Sequence, residues 1–403
     1  MSPKNVVIIG GGVLGCSTAY HLAKQGVPSQ IIEMDSIAAK ASGRAWAVVS
    51  TYVSLELCEG MGKPVVGPRT APAYRRFMDE TFKRMPQVAR DLKEEGGIDI
   101  EYMELPALFV VFLESEERFM KERIRELRSE GGVISWLGAG ELRDIFPDLH
   151  PGARGAVYFP GGKLEPYKYT LALAQAAERK GASIKLGEAV GFRCEGTRVT
   201  AVTLATGTEV EADEIVLAMG PWLGKGTSWL GKTIDVKPNK LECLKLEMPE
   251  PFPPYRLVAG EITILRQPDG TVLVGEGPFA EEMGVPTADG GVKTGFAFPF
   301  DWQPEFNDSP TERVKERYIE AAVITLPRMK EAKLVEQRAG LLAMLPKHAL
   351  LTLGRVPGWD NVYVTAAETG VMYSLTVGRL MAELIIKGRT EEDIKALDPA
   401  RLL

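Results

Sequence analysis

A glycine-rich turn near the start of the chain is the first pattern that could do chemistry. Gly10, Gly12 and Gly15 have the spacing G-x-G-x-x-G between a predicted strand and a predicted helix. In such a turn the first glycine permits the bend, the second lets a pyrophosphate approach the backbone, and the third lets helix pack on strand. Glu33 ends the next predicted strand, where a carboxylate can bind ribose hydroxyls. The pattern predicts a dinucleotide site, and the acid disfavours the 2′-phosphate of NADP.

The elements around this turn form a strand, a helix and a strand. Residues 5–10 are a short β-branched run typical of a buried parallel strand, and residues 13–25 carry apolar side chains at helical spacing. Gly26 ends that helix, and residues 29–33 form the second strand. Further helices are predicted over 73–95, 115–130, 167–180 and 372–387, and strands over 107–113, 183–186, 198–204, 209–211, 214–220 and 362–365. The region 36–72 is predicted as loop with short elements, and 235–300 as antiparallel strands.

Composition excludes several classes of function. The chain has 403 residues, a net charge of −6 and scattered basic residues, which argues against a nucleic-acid partner. Its four cysteines, at 16, 58, 194 and 243, form no C-x-x-C pair, and its three histidines have no metal-ligand spacing. We therefore expect no metal, no disulfide framework and a cytoplasmic location. No stretch approaches the roughly 20 apolar residues of a membrane span.

Motifs spread along the whole chain resemble those of one enzyme family. They are Ala41-Ser-Gly-Arg44, Leu164-Glu-Pro166, Glu214 to Trp222, Arg266 to Gly275, Arg338-Ala-Gly340-Leu, Glu368-Thr-Gly370-Val-Met372 and Gly378 to Ile385. Together and in this order they resemble the D-amino-acid-oxidase-like FAD oxidoreductases, which include glycine, sarcosine and D-amino-acid oxidases and dehydrogenases. The resemblance is specific to the family and not to a substrate.

This resemblance implies an α/β fold: a Rossmann-like FAD-binding domain of the glutathione-reductase type, interleaved with an α+β substrate domain on an antiparallel sheet. We expect residues 1–95, 151–225 and 335–403 in the FAD-binding domain, and 96–150 and 226–334 in the substrate domain. FAD is expected to be non-covalent, because Trp46 stands where a flavin-linking histidine would follow Arg44, and the last third of the chain has no cysteine.

The resemblance also assigns FAD-binding residues one by one. They are Gly10, Gly12, Val13, Leu14 and Gly15 at the pyrophosphate; Glu33 and Met34 at the adenosine; Ser42, Gly43 and Arg44 at the diphosphate; Ala45 and Trp46 at the isoalloxazine; Val190 at the adenine; Ala218, Gly220 and Trp222 around the pocket; and Gly340, Gly370, Val371 and Met372 at the pyrimidine edge. The last placement has a physical reason. A helix that begins near Gly370 directs its positive end at the negative charge of a reduced flavin.

Two positions depart from the family pattern. Glu368-Thr369-Gly370 replaces a common Gly-His-Gly triplet, and a carboxylate there would suit a cationic amine or be a plain turn acid. Leu342 stands where several relatives have an arginine that binds a substrate carboxylate. Candidate replacements are Arg266, Arg338, Lys347 and His348, and Tyr255 and Tyr373 are candidate hydrogen-bond donors. From these we predict Arg338, Glu368 and Tyr373 as the catalytic residues.

The leading functional hypothesis is oxidation of the C–N bond of an amino acid or secondary amine. Hydride would pass from the α-carbon to flavin N5, and water would hydrolyse the imine. A second hypothesis is a 2-hydroxy-acid or polyol-phosphate dehydrogenase, for which His348 is the candidate base. A third is the flavin subunit of a dehydrogenase complex, and a fourth is a flavin-binding protein without turnover. We expect a small-molecule substrate, oxygen or a redox partner as electron acceptor, and a homo-oligomer or complex subunit.

Overall fold

The strand that precedes the glycine turn lies near the middle of a mainly parallel sheet. The computed structural model describes residues 5–57, 72–277, 283–295 and 301–403. Among these residues the six strands of this sheet are, in spatial order, Leu351–Arg355, Val362–Ala367, Glu214–Leu217, Val6–Ile9, Ser29–Glu33 and Ser183–Leu186. Their pairings are parallel except at the outer edge, where the first two strands run antiparallel. The predicted strand, helix and strand after Asn5 are confirmed.

Layers of secondary structure cover both faces of the six-stranded sheet. One face is buried by helices Val13–Lys24, Pro72–Gly96, Pro166–Glu178 and Gly370–Lys387. Against the opposite face lies a small sheet of the strands Ala189–Glu195, Arg198–Leu204 and Glu209–Glu211. The last helix begins two residues earlier than predicted, at Gly370, and ends at Gly388, which has a φ of 74°. Its start therefore coincides with the turn that the sequence singled out.

A second large sheet is mainly antiparallel. Its eight strands in the described residues are, in spatial order, Lys333–Met344, Lys237–Glu247, Val272–Glu276, Ile262–Arg266, Arg256–Ala259, Ala107–Val111, Gly155–Phe159 and Ser135–Gly138. One pairing is parallel, between Arg256–Ala259 and Ala107–Val111. Helices Glu312–Thr325 and Ala139–Ile145 pack on one face, and helix Glu114–Ser129 packs on part of the other. The predicted α/β fold with an antiparallel second sheet is confirmed.

Two strands of the eight-stranded sheet fall wholly or mostly in segments that were expected to belong to the FAD-binding domain. Gly155–Phe159 pairs with Ala107–Val111, although residues 151–225 were expected with the FAD-binding domain. Most of Lys333–Met344, which pairs with Lys237–Glu247, was expected there too. Only the long-range pairing of these two strands decides which sheet they join. Both segments therefore belong to the eight-stranded sheet.

Short elements complete the described chain. The remaining helices are Ala41–Arg44, Val53–Glu56 and Leu223–Ser228; the remaining strands are Val48–Ser50, Met103–Glu104, Gly161–Lys163, Met283–Pro286 and Val292–Gly295; and single 3-10 turns cover Gly220–Trp222, Pro327–Glu331, Pro346–His348, Lys395–Leu397 and Pro399–Arg401. The prediction of short elements after Glu33 is confirmed as far as Leu57, and residues 58–71 lie outside the described residues. No described helix combines the length and the hydropathy that crossing a bilayer requires.

Backbone atoms meet closely at the glycine turn. Gly10 has a φ of 114°, and a Cβ there would lie 2.3 Å from the carbonyl oxygen of Ala218 on the neighbouring strand. A Cβ at Gly15 would lie 2.0 Å from the carbonyl oxygen of Gly10. Both distances are far inside van der Waals contact, and the obstructing atoms are backbone. Glycine is therefore required at both positions for helix Val13–Lys24 to begin where it does.

We expect Gly15→Ala to lower the free energy of unfolding by at least about 2 kcal/mol, because the added methyl must displace backbone at the centre of the sheet. Urea unfolding monitored by circular dichroism measures this. The matched control is Gly140→Ala, in helix Ala139–Ile145, where a Cβ meets open space. That control should leave stability unchanged or raise it by up to about 1 kcal/mol. Equal stability of G15A and the wild type would contradict the packing argument.

Candidate active site

One cavity connects the glycine turn to the second sheet. It has a volume of about 480 Å³ and is lined by residues of both large sheets. Beginning at Glu33 and Met34, its walls include the glycine turn, then Trp46, and then strands of the eight-stranded sheet at Cys243 and Arg256. The cavity therefore lies between a dinucleotide-type turn and a mixed polar and apolar sheet surface.

Backbone N–H groups hold the Glu33 carboxylate at one end of the cavity. The amide of Gly11 donates to Oε2 at 2.6 Å, and the amide of Asp35 donates to Oε1 at 2.9 Å. Glu33 is only 9% exposed, so these bonds fix its orientation. A carboxylate has about four acceptor positions, so it can still accept hydroxyl groups of a ligand.

Short helix Ala41–Arg44 closes over the glycine turn. The Val13 amide donates to the Ser42 hydroxyl at 2.9 Å, which ties the start of helix Val13–Lys24 to this segment. Arg44 donates to a carboxylate oxygen of Asp308 at 2.8 Å and to the carbonyl of Ala339 at 2.9 Å. Lys40 lies 3.5 Å from the same carboxylate. Asp308 thus connects the loop before helix Glu312–Thr325 to two cations on the cavity wall.

Aromatic side chains shape the middle of the cavity. Trp46 packs against the second sheet at Gly275, where a Cβ would lie 2.2 Å from the indole. Trp222 stacks on Phe306, with ring centroids 5.0 Å apart and an interplanar angle of 14°. Glycine at position 275 therefore makes the room that Trp46 occupies.

The start of helix Gly370–Lys387 forms the opposite wall. Residues 367–372 all line the cavity, including Glu368 and the first three residues of the helix. A Cβ at Gly370 would lie 3.3 Å from Val13, so the two helix starts meet here. The positive ends of both helix dipoles are thereby brought to one cavity, which favours a ligand with negative charge.

Most of the predicted cofactor residues line this cavity. They are Gly10, Gly12, Val13, Leu14, Glu33, Met34, Ser42, Arg44, Ala45, Trp46, Ala218, Gly220, Trp222, Gly340, Gly370, Val371 and Met372. Three others do not. Gly15 lies behind the turn against Gly10, Gly43 packs on the Ala38 carbonyl, and the side chain of Val190 is 39% exposed beside Ala189, which lines the cavity in its place. Gly15 and Gly43 therefore have packing roles.

The three predicted catalytic residues have different surroundings. Glu368 lines the cavity. Arg338 does not: it donates to the Ala45 carbonyl at 3.3 Å and to the Cys243 sulfur at 3.2 Å, and so positions the segment that leads to Trp46. Tyr373 is fully buried in the helix core, with its ring 6.1 Å from that of Tyr74. Of the three predicted residues, therefore, Glu368 alone lines the cavity, and a catalytic role for Arg338 or Tyr373 stays a prediction.

Three further residues proposed for substrate contacts, Arg266, Lys347 and Tyr255, do not line the cavity. Arg266 pairs in register with Val272, so its side chain lies on the face that carries helix Glu312–Thr325. Lys347 donates to the Arg401 carbonyl at 2.6 Å. Tyr255 packs against Phe146 on the same helix-bearing face. The side chain of His348 lies outside the described residues.

Sequence reasoning missed several residues of the second sheet that line the cavity. They are Leu241, Glu242, Cys243, Arg256, Glu276, Gly277 and Leu341. Arg256 is the charged residue in the otherwise apolar strand Arg256–Ala259, which was a signal that the sequence offered. The face of the sheet from which the Arg256 side chain projects could not be predicted from that strand alone. It depends on the pairing of the strand with Ile262–Arg266 and Ala107–Val111.

Burial alters the acid–base properties of groups beside the cavity. Burial raises the pKa of Glu276 to about 8, and nearby Arg317 opposes the shift. Burial lowers the pKa of Lys163 to about 8, and the Arg338 guanidinium adds to this. The pKa of the Cys243 thiol is raised by burial against the opposing effect of Arg338. Among the described residues, no group of three His, Cys, Asp or Glu side chains could hold a metal ion.

Comparison with known proteins decides the family. The model of the family called DAO, FAD dependent oxidoreductase, matches residues 5–384. The chain belongs to this family. It is 26% identical to glycine oxidase of Pseudomonas putida, over 91% of this chain and 89% of that protein. It is 25% identical to human mitochondrial dimethylglycine dehydrogenase, over 98% of this chain and 44% of that protein. The solved structure of glycine oxidase from Geobacillus kaustophilus superposes with a TM-score of 0.82 at 22% identity, covering 98% of both chains.

This DAO-family chain should lose stability as pH rises from about 5 to about 8, because Glu276 stays protonated when folded and ionises when unfolded. The unfolded state then binds fewer protons, at a cost of up to about 1 kcal/mol per pH unit. Glu276→Gln removes the contribution of this carboxyl to the pH dependence. The free energy of unfolding of E276Q, measured against that of the wild type, should therefore increase as pH rises. Urea unfolding at three pH values measures it, with exposed Glu250→Gln as control. Parallel pH profiles of E276Q and wild type would show that Glu276 does not titrate this way.

Proposed function

We propose that this flavoenzyme binds FAD non-covalently in the cavity and oxidises the C–N bond of an amino acid or secondary amine. The observation that supports it best is one continuous cavity that joins the glycine turn to the apolar and cationic face of the second sheet. The names of the relatives, glycine oxidase and dimethylglycine dehydrogenase, point to the same kind of chemistry.

The residues present fit FAD. Gly10 and Gly12 line the cavity, and a Cβ at either would approach protein atoms, the Ala218 carbonyl and the Ser42 hydroxyl respectively, so glycine lets the turn pack closely there. The Glu33 carboxylate would accept the ribose hydroxyls, and Met34 would contact the adenosine. Two helix starts, at Val13 and Gly370, suit the diphosphate and the flavin respectively.

The flavin end would be held by protein surfaces on several sides. Ala45 and Trp46 are fixed by Arg338 and by contact with Gly275, and Gly340 lies against Ala41. The helix that begins at Gly370 would direct its dipole at the ring edge where negative charge develops. When bound, FAD supplies the hydride acceptor for the reaction.

The chain's own residues then have to orient the substrate and exclude water. A neutral amine needs no strong base, because its lone pair assists the departure of hydride from the α-carbon. Among the described residues that line the cavity there is no histidine, and the acids are Glu33, Glu188, Glu242, Glu276 and Glu368. Oxidation of a 2-hydroxy acid generally uses a histidine or comparable base, and the candidate for that role, His348, has its side chain outside the described residues.

Anaerobic incubation of the purified holoenzyme with a panel of amino acids and secondary amines should bleach the flavin absorbance. We expect glycine, N-methylated glycines or other small amino acids to reduce it, with ammonia or an amine released in proportion to the flavin reduced. Admission of oxygen then tests whether oxygen reoxidises the flavin directly. A panel of 2-hydroxy acids is the matched control.

Bleaching by 2-hydroxy acids alone would support the dehydrogenase alternative. A flavin that no member of either panel reduces would contradict the proposed function.

Denaturation in acid should release the flavin completely into the supernatant. The physical reason is that Trp46 occupies the position where a histidine link would form, and Cys16 and Cys243 are buried thiols whose pKa values are raised. Fluorescence of the supernatant and the mass of the precipitated protein measure this. A protein mass increased by that of FAD would show a covalent bond instead.

A further inference from the structure

We propose that residues 301–311 form a strap across the FAD cavity, and that detachment of its middle limits how fast the cofactor enters and leaves. The inference rests on one part of the proposed function, the non-covalent binding of FAD, and is independent of the substrate. Two residues hold the strap in place, Phe306 and Asp308. Neither lines the cavity, so both are positioning residues that act through side chains which do line it.

The two ends of the strap are attached to the second sheet. At its start, the backbone amide of Lys240, in strand Lys237–Glu247, donates to the Asp301 carbonyl at 2.9 Å. At its end, the amide and the hydroxyl of Thr311 donate to the Glu242 carboxylate, each at 2.9 Å. Lys240 and Glu242 are both buried. The ends of the strap are therefore fixed to the interior of the protein.

The middle of the strap crosses to the other side of the cavity. The Phe306 ring stacks on Trp222, and two residues further on Asp308 pairs with Arg44 and with Lys40. Trp222, Arg44 and Lys40 all line the cavity. Trp222 follows one strand of the six-stranded sheet, and Lys40 and Arg44 follow another. Residues 306–308 thus connect two separate walls of the cavity.

The contacts at the middle are weaker than those at the ends. The side chains of Asp308, Arg44 and Lys40 are 27%, 32% and 36% exposed, so water and salt weaken their attraction. The stack on Trp222 is a single ring pair. In the part of the chain that the structure describes, no backbone hydrogen bond joins residues 304–309 to residues 40–44 or 220–222. The middle of the strap can therefore detach while its ends stay in place.

The backbone of Phe306 adds a force that favours detachment. Its φ is 58°, in the left-handed region, which costs free energy in any residue with a Cβ. Such a conformation persists only where surrounding contacts hold it, and the stack on Trp222 is a contact of this kind. Loss of the stack would let the backbone return to an ordinary conformation and carry the ring away from the wall.

The position of the strap gives it control over the cofactor. A molecule of FAD that reaches from Glu33 to Trp46 must pass between the wall at Trp222 and the wall at Arg44. While the strap joins these walls, the middle of the cofactor is covered. Release and uptake of FAD then both require the same step, the detachment of residues 306–308, as in enzymes whose lids limit the exchange of a bound molecule.

The test compares four holoenzyme variants with the wild type. Phe306→Ala removes the stacked ring, Phe306→Tyr keeps it, and Asp308→Asn removes the charge that pairs with Arg44. Glu305→Gln removes one negative charge from an exposed neighbour in the same segment and serves as the control. D308N and F306A break different contacts of one strap, so D308N decides the test if F306A does not fold.

The first measurement is the rate at which bound FAD exchanges for an excess of isotopically labelled FAD, followed by mass spectrometry of the flavin that stays with the protein. Release should be about 10-fold faster in F306A and about 3-fold faster in D308N. F306Y and E305Q should stay within about 2-fold of the wild type. Release from D308N and F306A at the wild-type rate would overturn the proposal.

The second measurement is the Kd of FAD, from the free flavin that appears when each holoenzyme is diluted. The rate constant for uptake is the release rate constant divided by this Kd. Because one detachment step precedes both exit and entry, uptake should become faster together with release, and the Kd should change by less than about 3-fold. A Kd that rises by the same factor as release, with uptake unchanged, would show that the contacts only add affinity and would overturn the proposal.

These measurements use no substrate, which separates this inference from the proposed function. FAD that acid releases, but that exchanges equally fast in all variants, would refute the strap and leave the proposed function standing. Faster exchange in F306A and D308N, in an enzyme whose flavin no amine reduces, would support the strap and contradict the proposed oxidation. FAD that neither exchange nor acid removes from any variant would contradict both.

Discussion

Close backbone packing at the glycine turn is the constraint on which the rest of the structure depends. The Gly10 carbonyl lies where a Gly15 side chain would be, and the Ala218 carbonyl lies where a Gly10 side chain would be. These contacts bring the ends of two parallel strands and the start of a helix to one point, so the cavity begins there. Glu33, which ends strand Ser29–Glu33, and the helix that begins at Gly370, after strand Val362–Ala367, line the same cavity. The other walls of the cavity extend from this junction to the second sheet.

Local sequence patterns predicted most of the fold and the dinucleotide end of the site, because the residues involved lie within a few positions of a strand end or helix start. The substrate end was predicted poorly for a physical reason. Arg338 and Arg256 lie in strands whose partners are distant in sequence, so the direction of each side chain depends on long-range pairing. A shift of one residue in register reverses the face of a strand, so no local pattern could distinguish Arg256 from Arg266.

The two ends of the cavity follow different electrostatic rules. Near the glycine turn, partly exposed cations are already paired with Asp308 or Glu188, which limits their contribution to a bound anion. Around Trp46 the surroundings are apolar, and charges interact more strongly in such a medium than in water. Selectivity for the substrate is therefore expected to arise at the apolar end.

The order of strands in the two sheets also has a consequence for synthesis on the ribosome. Lys333–Met344 is an edge strand of the eight-stranded sheet, and Val362–Ala367 is the fifth strand of the six-stranded sheet counted from Ser183–Leu186. Neither sheet can be completed until the last fifth of the chain has been translated. The exposed edges of both incomplete sheets must therefore be protected from association with other nascent chains until then.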